Sequence, residues 1–302
     1  MENNLLYHGS AMEVIYPEIR ITRYTKDFSW GFYCTNSYEQ AYRWADRRSS
    51  HGIVNVYKES GFTSFDVVAK MRGIFHQKKI GHTGALDPDA QGVLPVCLGR
   101  ATKVCDLLTD KDKEYEAVML LGMTTDTQDV SGNVLSRQEV TVSEDAVKTV
   151  IASFEGEYMQ IPPMYSALKV NGQKLCDLAR KGIEVERKAR PVTIYKIQIL
   201  EINLPRVCMR VECSKGTYIR TLCQDIGEKL GCGACMESLL RTRVSEFRLD
   251  GALRLQQIEE LVQQEDFSFV QSVDSVFMQY DFAQVMKLSL IHISEPTRLR
   301  CI

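Results

Sequence analysis

The sequence predicts an α+β fold with a mixed, largely antiparallel central sheet flanked by helices. Three observations lead to this prediction. Strand and helix patterns follow each other from residue 51 to about residue 250, and strands are joined through hairpins as well as through helices. The hydrophobic fraction of 44% and the charged fraction of 25% are typical of a soluble globular protein. A length of 302 residues is enough for one large domain or two ordinary ones.

The strands are predicted from apolar runs and from alternation of apolar and polar residues. The run at 93–98 is apolar enough to be a buried strand, whereas 191–204 alternates with one slip, as a strand with one buried face does. The predicted strands are, in chain order, residues 52–57, 93–98, 113–121 and 191–204.

The helices are predicted mainly from the residues that begin and end them. Ser143 is followed by two acidic residues, which favour a helix start, and Gly231 follows a helical pattern that it can end. The predicted helices are, in chain order, Thr63 or Ser64 to about Gly73, Ser143 to about Phe154, residues 217–229, and the amphipathic segment 255–262.

The composition excludes several classes of protein. No apolar run is long enough to span a bilayer, and the N-terminus lacks the pattern of a signal peptide, so a cytoplasmic location is expected. The ten cysteines are scattered through apolar segments, which predicts reduced, buried thiols. Cys232 and Cys235 have metal-ligand spacing, but a second Cys/His pair at a zinc-like distance is missing, so no metal site is predicted.

The segment from Gly81 to Gly99 contains a carboxylate that is a candidate for chemistry. Asp87 precedes Pro88, which biases the backbone of Asp87 away from the helical region, and nearby glycines allow sharp turns. A carboxylate held on a rigid loop beside an apolar wall can be a reactive group. An Asp-Pro turn that caps a helix or closes a hairpin has the same local pattern. The residues alone leave both interpretations open.

A basic segment lies in the second half of the chain. Residues 169–190 contain seven basic and three acidic residues, although the net charge of the chain is −2. Binding to nucleic acid depends on the local field and not on net charge. The segment is therefore either a solvated face or an arm that contacts a phosphate backbone.

Four motifs follow one another at residues 81–99, 113–118, 161–172 and 213–222, and in this order they resemble the motifs of the bacterial TruB family of tRNA pseudouridine synthases, which isomerise the T-loop uridine. Residues 81–99 resemble the loop with the catalytic aspartate, and residues 113–118 resemble the strand with the active-site tyrosine. Residues 161–172 resemble an RNA-contacting insertion, and residues 213–222 resemble the motif with a further tyrosine and an arginine. The resemblance extends over residues from 51 to about 277 and implies the pseudouridine synthase fold.

The resemblance implies an isomerase with Asp87, Tyr115 and Arg220 as catalytic residues. Asp87 would either attack C1′ of the ribose or abstract a sugar proton, and the residues do not choose between these roles. Arg220 would pair with Asp87, because burial alone would raise the pKa of that carboxyl. Tyr115 would remove the C5 proton after the base turns. No atom enters or leaves, so neither cofactor nor metal is expected.

The same resemblance assigns further residues to substrate binding. Tyr115 or Tyr218 would stack on the flipped uracil, His82 would fill the space that the nucleotide leaves, and Leu239 would line the pocket. The expected partner is the T-arm of tRNA, without membrane or obligatory protein partner, bound by a monomer. The expected phosphate contacts are Lys78, Lys79 and the arm that begins at Lys169.

Each of these side chains has a simpler interpretation. Arg220 would be a charge on a helix surface, and the two tyrosines would be structural residues with satisfied hydroxyls. His82 would be a solvated loop residue, and Leu239 would belong to the core.

The resemblance divides the chain into four parts. Residues 51–253 are expected to be the catalytic domain, and residues 254–286 the start of a truncated C-terminal region. Residues 1–50 are expected to be a truncated foreign fragment. Of these, residues 1–48 resemble the opening of an uncharacterised bacterial domain that is reminiscent of ADP-ribosyltransferases. Residues 287–302 resemble a translated sequencing adapter, and an artefactual tail is expected there.

Two rival functions remain at this point. A non-catalytic RNA-binding module would bind tRNA without isomerising a base. An ADP-ribosyltransferase, inferred from residues 1–48, would consume a nicotinamide dinucleotide.

Overall fold

A computed structural model describes residues 51–170 and 172–273. The expected fragment at 1–50 and the tail at 287–302 lie outside the described residues. The strands are β1 (Ile53–Lys58), β2 (Ile80–His82), β3 (Gln91–Leu98), β4 (Lys113–Leu121), β5 (Met123–Thr125), β6 (Val134–Arg137), β7 (Gly156–Gln160), β8 (Lys169–Val170), β9 (Gln173–Lys174), β10 (Arg190–Asn203), β11 (Arg206–Cys213), β12 (Ala234–Val244) and β13 (Phe247–Arg248). The helices are α1 (Ser64–Ile74), α2 (Cys105–Thr109), α3 (Glu144–Ala152), α4 (Leu175–Ala179), α5 (Ile219–Leu230) and α6 (Leu255–Gln263), with 3-10 turns at Gly99–Val104 and Leu249–Gly251.

The central sheet has the strand order β1-β3-β12-β4-β11-β10-β7, with β2 added beside β3 and β13 beside β12. Within the described residues, all of its pairings are antiparallel except that of β3 with β12. The predicted α+β fold with a mixed, largely antiparallel sheet is therefore confirmed. Strand β4 has the predicted bounds, and β3 begins at Gln91, two residues before the prediction.

Side chains of a strand alternate between the two faces of the sheet, and the helices pack on the apolar side chains that these strands present. The largest apolar cluster joins β4, β11 and β12 to α3 and α5. A second cluster joins β1 and β3 to α1 and α6, with Ile258 of α6 fully buried. Thr63 begins α1 through a capping box with Asp66, and Gly231 ends α5 with φ of 77°. Both helix boundaries agree with the caps predicted from sequence.

The segment after β13 covers the edge strand β1. The backbone of Leu253 bonds to Asn55 and Tyr57, and the backbone of Gln271 bonds to Ile53 in both directions, at 2.8 and 2.9 Å. These bonds satisfy groups that an open sheet edge would expose. Residues 253–271 therefore belong to the same folded body as β1.

Helix α5 contains a half-buried carboxyl that weakens the fold at neutral pH. Burial raises the pKa of Asp225 from 3.8 to about 6, and the charge of Glu228 adds to this shift. Between these pH values the folded state holds a proton that the unfolded state has lost, so stability falls as pH rises through this window. Because Asp225 is partly exposed, solvent screens part of this penalty, and we expect Asp225→Asn to raise the free energy of unfolding by roughly 1 to 2 kcal/mol at pH 8 and by little at pH 4.

Denaturant unfolding of the wild type and the variant at both pH values measures this difference. The control is Glu259→Gln, which neutralises an exposed carboxylate on α6 that does not act on Asp225. We expect a much smaller change from it. Equal unfolding midpoints for wild type and Asp225→Asn at pH 8 would contradict the prediction.

Candidate active site

The loop between β2 and β3 is held in place by a buried lysine. Lys58, at the end of β1, is fully buried, and its ammonium group donates to the carbonyl oxygens of Pro88 and Ala90 at 2.8 and 2.5 Å. Burial lowers the pKa of Lys58 to about 8. These two bonds bracket Asp89 and fix the path of the chain just after the catalytic candidate, Asp87.

A second buried cation, Arg241, bonds to the part of the same loop that precedes Asp87 and to the strand that follows the loop. Arg241 of β12 has an exposed fraction of 0% and donates to the carbonyls of Val93 and Gly84 at 2.7 and 3.2 Å. It lies beside Gly92, where β3 and β12 run parallel. A Cβ at Gly92 would lie 2.2 Å from the carbonyl oxygen of Arg241, and φ is 107° there, so only glycine permits this approach.

Asp87 and Arg220 form a two-pronged ion pair. The Nε of Arg220 lies 3.0 Å from Oδ2 of Asp87, and its Nη2 donates to Oδ1 at 3.2 Å. The arginine side chain is 6% exposed, whereas the aspartate side chain is 43% exposed. The guanidinium therefore supports the carboxylate from below and leaves its outer face open to a substrate. The simpler interpretation of Arg220 as a surface charge was wrong, because residues distant in sequence fold over it.

The hairpin between β5 and β6 brings a second carboxylate to the same arginine. Asp129 lies 3.3 Å from Nη1 of Arg220, which also donates to the carbonyl of Thr127 at 2.9 Å. The other oxygen of Asp129 accepts from Ser131 and Thr127, so the turn itself fixes the carboxylate. Sequence reasoning missed Asp129, since a polar turn between two short strands is indistinguishable from an ordinary solvated hairpin.

Tyr115 and Tyr218 lie close enough to Asp87 for its charge to act on their hydroxyl groups. Tyr115 in β4 stands opposite Arg241 in the register of β4 and β12, and the positive charge of Arg241 acts on its hydroxyl. Burial raises the pKa of Tyr115 to about 12, and Arg241 opposes that rise. Tyr218 immediately precedes α5, where burial raises the pKa of its hydroxyl and Ser166 contacts it. The charge of Asp87 acts on both phenols, so all of these groups share one cleft.

The remaining predicted site residues are spread between the cleft and the surface. His82 of β2 is half-buried, its Nδ1 has no hydrogen-bond partner among the described residues, and burial lowers its pKa. Leu239 of β12 lies opposite Ala117 of β4 and packs on the largest apolar cluster. The predicted phosphate contacts Lys78, Lys79 and Lys169 are all exposed.

Comparison with known proteins shows which family this chain resembles. Residues 72–219 match the family described as TruB family pseudouridylate synthase (N terminal domain), and residues 220–281 match tRNA pseudouridylate synthase B C-terminal domain. The tRNA pseudouridine synthase B of Lachnoclostridium phytofermentans is 59% identical over 248 residues, which cover 79% of this chain and 81% of that protein. That of Clostridium acetobutylicum is 52% identical over 230 residues, which cover 76% and 78%. The chain belongs to the TruB family.

Among solved structures, this TruB-family chain is similar to the one described as "Crystal Structure of a Cbf5-Nop10-Gar1 Complex". The match has a TM-score of 0.62 at 32% identity and covers 76% of this chain and 63% of that one. At the N-terminus, residues 5–72 match a family described as Protein of unknown function (DUF3990). This confirms the predicted resemblance to an uncharacterised domain, with a match that extends into β1 and α1.

The part of this TruB-family chain that the structure describes lacks two classes of feature. No group of three or more His, Cys, Asp or Glu side chains is arranged to hold a metal ion there. None of the helices in 51–170 and 172–273 has the length and hydropathy needed to cross a bilayer. The eight cysteines of these ranges are free thiols.

If Asp87 is the reacting carboxylate, its pKa determines the acid side of the pH profile of the reaction. Burial raises its pKa above the ordinary 3.8, the charge of Asp129 raises it further, and Arg220 opposes both. Either chemical role requires the ionised form, so the single-turnover rate should fall as pH decreases through this raised value. Asp129→Asn removes one negative charge and should move the acid limb of the profile to lower pH.

The rate of tritium release from C5-labelled uridine in tRNA, followed from pH 4.5 to 8, measures both profiles. An acid limb that stays at the same pH in Asp129→Asn would contradict the assignment of that limb to Asp87. Glu116→Gln is a suitable control, since it removes a carboxylate that pairs with Arg210 and not with Arg220.

Proposed function

We propose that this chain converts the T-loop uridine of tRNA to pseudouridine, with Asp87 as the reacting carboxylate. The activity as a tRNA pseudouridine synthase follows from the family, whose curated members carry that name. The observation that supports the assignment of the carboxylate is the ion pair of the accessible Asp87 with the buried Arg220. No other carboxylate–arginine pair among the described residues combines a buried guanidinium with a loop tied by two buried cations.

The reaction breaks the bond between C1′ and N1 of uracil and forms one between C1′ and C5. The Asp87 carboxylate either forms a bond to C1′ as the uracil anion leaves or takes a proton from the sugar, and both routes need a charged oxygen close to the ribose. Arg220 keeps that oxygen charged and oriented. When C5 bonds to C1′, the Asp87 oxygen leaves C1′ in the first route, and the sugar regains its proton from Asp87 in the second. C5 then loses its proton, which Tyr115 removes, and N1 gains one.

Tyr115 needs help for this step, because a buried phenol holds its proton at neutral pH. The positive charge of the Arg241 guanidinium, which lies opposite Tyr115 in the sheet, favours the ionised form of its hydroxyl. The removal of the C5 proton is therefore assigned to the pair of Tyr115 and Arg241.

The substrate-binding roles follow the layout of the cleft. Tyr218 or Tyr115 stacks on the extruded uracil, Leu239 lines the pocket, and His82 fills the space in the tRNA that the flipped nucleotide leaves. Lys78, Lys79 and the segment from Lys169 contact phosphates. The catalytic domain comprises residues 51–253. Helix α6, in the region that follows, packs against β1 and α1 of this domain.

The function is tested by mapping pseudouridine in a tRNA transcript incubated with the purified full chain. We expect one modified position, in the T-loop, and none in a transcript whose T-loop uridine is replaced by cytidine. Binding of the transcript without any modification would favour the non-catalytic RNA-binding alternative. Modification outside the T-loop only would refute the proposed substrate position.

A further inference from the structure

Gln160 makes a contact that the reaction scheme above does not use. It is the last residue of β7, at the edge of the sheet, and its side chain is only 1% exposed. Its Oε1 accepts from the backbone N–H of Tyr218 at 2.8 Å, and its Nε2 donates to the carbonyl of Tyr218 at 3.0 Å. A second N–H bond reaches the hydroxyl of Tyr158. The amide thus holds both polar backbone groups of one residue.

The residue held in this way determines where α5 begins. Tyr218 is the N-cap of α5, and its side chain makes no capping bond to the helix. Its carbonyl accepts the first helical bond from Leu222 at 3.0 Å in addition to the bond from Gln160. Arg220 lies in that first turn, two residues after Tyr218. Because a helical backbone is stiff, fixing the N-cap also fixes the base of the Arg220 side chain.

Gln160 also stands where the basic segment leaves the sheet. The chain between β7 and β10 carries the exposed basic residues predicted to contact RNA, and it begins at Ile161. Two more contacts join its first residues to the cleft. Arg220 Nη2 donates to the carbonyl of Tyr165 at 2.8 Å, and the buried side chain of Ser166 lies beside the Tyr218 hydroxyl. The start of the segment is therefore bonded to Arg220 and lies against Tyr218.

We propose that Gln160 is a positioning residue, which holds Tyr218 and the first turn of α5 so that Arg220 meets Asp87 in the reactive geometry. It links the RNA-contacting segment to the reacting groups through its bonds to the backbone of Tyr218. The inference rests on the proposed function, because the geometry that it maintains is that of the isomerisation.

Gln160→Met tests the proposal, since methionine has a similar length and makes neither bond. We expect the single-turnover rate of tritium release to fall roughly 10- to 100-fold, as for a small misplacement of a catalytic group, with KM changed less than about threefold. We also expect faster backbone hydrogen exchange in peptides that cover residues 216–224, with unchanged exchange at the end of α5.

Asn55→Leu is the matched control. Asn55 is another buried amide, bonded to the carbonyl of Arg248 at 2.7 Å, and its side chain makes no hydrogen bond to α5. We expect it to lower the unfolding temperature while the rate stays within about twofold of wild type. If Asn55→Leu lost as much rate as Gln160→Met, or if Gln160→Met kept its rate and its exchange pattern, the proposal would be overturned.

Gln160→Glu provides a second variant with a pH signature. Its ionised carboxylate accepts from the Tyr218 N–H but repels the Tyr218 carbonyl, and its protonated form restores a donor. The rate relative to wild type should therefore rise as pH is lowered from 8 to 6, and a constant ratio would contradict the proposal. An inactive wild-type chain would refute the proposed function. Backbone hydrogen exchange of wild type and Gln160→Met does not depend on catalysis, so it tests the role of Gln160 separately.

Discussion

Asp87→Asn is expected to abolish pseudouridine formation while leaving the affinity for tRNA within about twofold of wild type. Asparagine has the same shape, but its amide carries no negative charge, so it neither attacks C1′ nor takes a sugar proton. We expect the rate to fall at least about 10⁴-fold, which corresponds to roughly 5.5 kcal/mol of lost transition-state stabilisation. Tritium release measures the rate, and filter binding of a tRNA transcript measures the affinity.

The fold should survive this substitution. Arg220 keeps Asp129 and the carbonyls of Thr127 and Tyr165 as partners. Burial raises the pKa of Asp87, so the loss of its charge does not weaken the folded state. A rate within about tenfold of wild type would refute the assignment of Asp87. Asp89→Asn is the matched control, because it makes the same chemical change two residues away on an exposed side chain, and we expect it to retain activity.

Arg220→Met is expected to reduce both activity and stability. The guanidinium holds two carboxylates, and without it Asp87 and Asp129 face each other without a cation between them. We expect at least about a 10³-fold loss of rate and an acid limb at higher pH, because the remaining charges raise the pKa of Asp87. Removing one partner of a fully buried pair costs about 3 to 5 kcal/mol, and we expect a smaller loss of stability here because the Asp87 side chain is partly exposed.

The loss of stability in Arg220→Met should depend on pH in a defined direction. Removal of Arg220 leaves the pKa of Asp87 raised further, and such a carboxylate penalises the folded state when it is ionised, so the loss of stability should shrink as pH is lowered from 8 to 5. Denaturant unfolding of wild type and variant at these pH values measures it. A deficit that grows towards low pH, or wild-type activity, would contradict the role of Arg220.

Two further variants separate charge from geometry. Arg220→Lys keeps a cation but not the two-pronged geometry, so it should restore part of the stability and less of the rate. Arg210→Met removes an arginine whose pair with Glu116 at 2.6 Å is partly exposed. Such a pair contributes about 1 kcal/mol or less, so we expect little change in either measurement.

Much of the fold was predictable because its elements are locally encoded. Strand β4 has alternating burial over nine residues, and α1 begins at a threonine that forms a capping box. The tyrosine and arginine on either side of Ile219 came from motif resemblance, since nothing in the local pattern separates a catalytic arginine from one on a helix surface. The ion pair with Asp87 then agreed with the arrangement that this resemblance implied.

The order of the strands and the support of the reactive loop were not predictable in the same way. The single parallel pairing within the described sheet, that of β3 with β12, places Arg241 beneath Gly84, although 157 residues separate the two in sequence. Lys58 and Arg241 look like solvent-exposed charges in their strands. Only the carbonyl oxygens of distant turns make their burial tolerable, because a buried cation needs partners that its own strand does not provide.

The amino-acid sequence by itself therefore determined the helices α1, α3, α5 and α6, the strands β1, β3, β4 and β10, and the carboxylate, tyrosine and arginine motifs of this protein, but not the central strands β11 and β12. The tertiary structure alone decided that Asp129 shares the arginine, that two buried cations hold the loop of Asp87, and that Gln160 holds the start of α5. The physical reason is the range of the interactions. Periodicity and capping act over a few residues, whereas the charge and orientation of a buried group depend on whichever distant atoms the fold brings within about 3 Å of it.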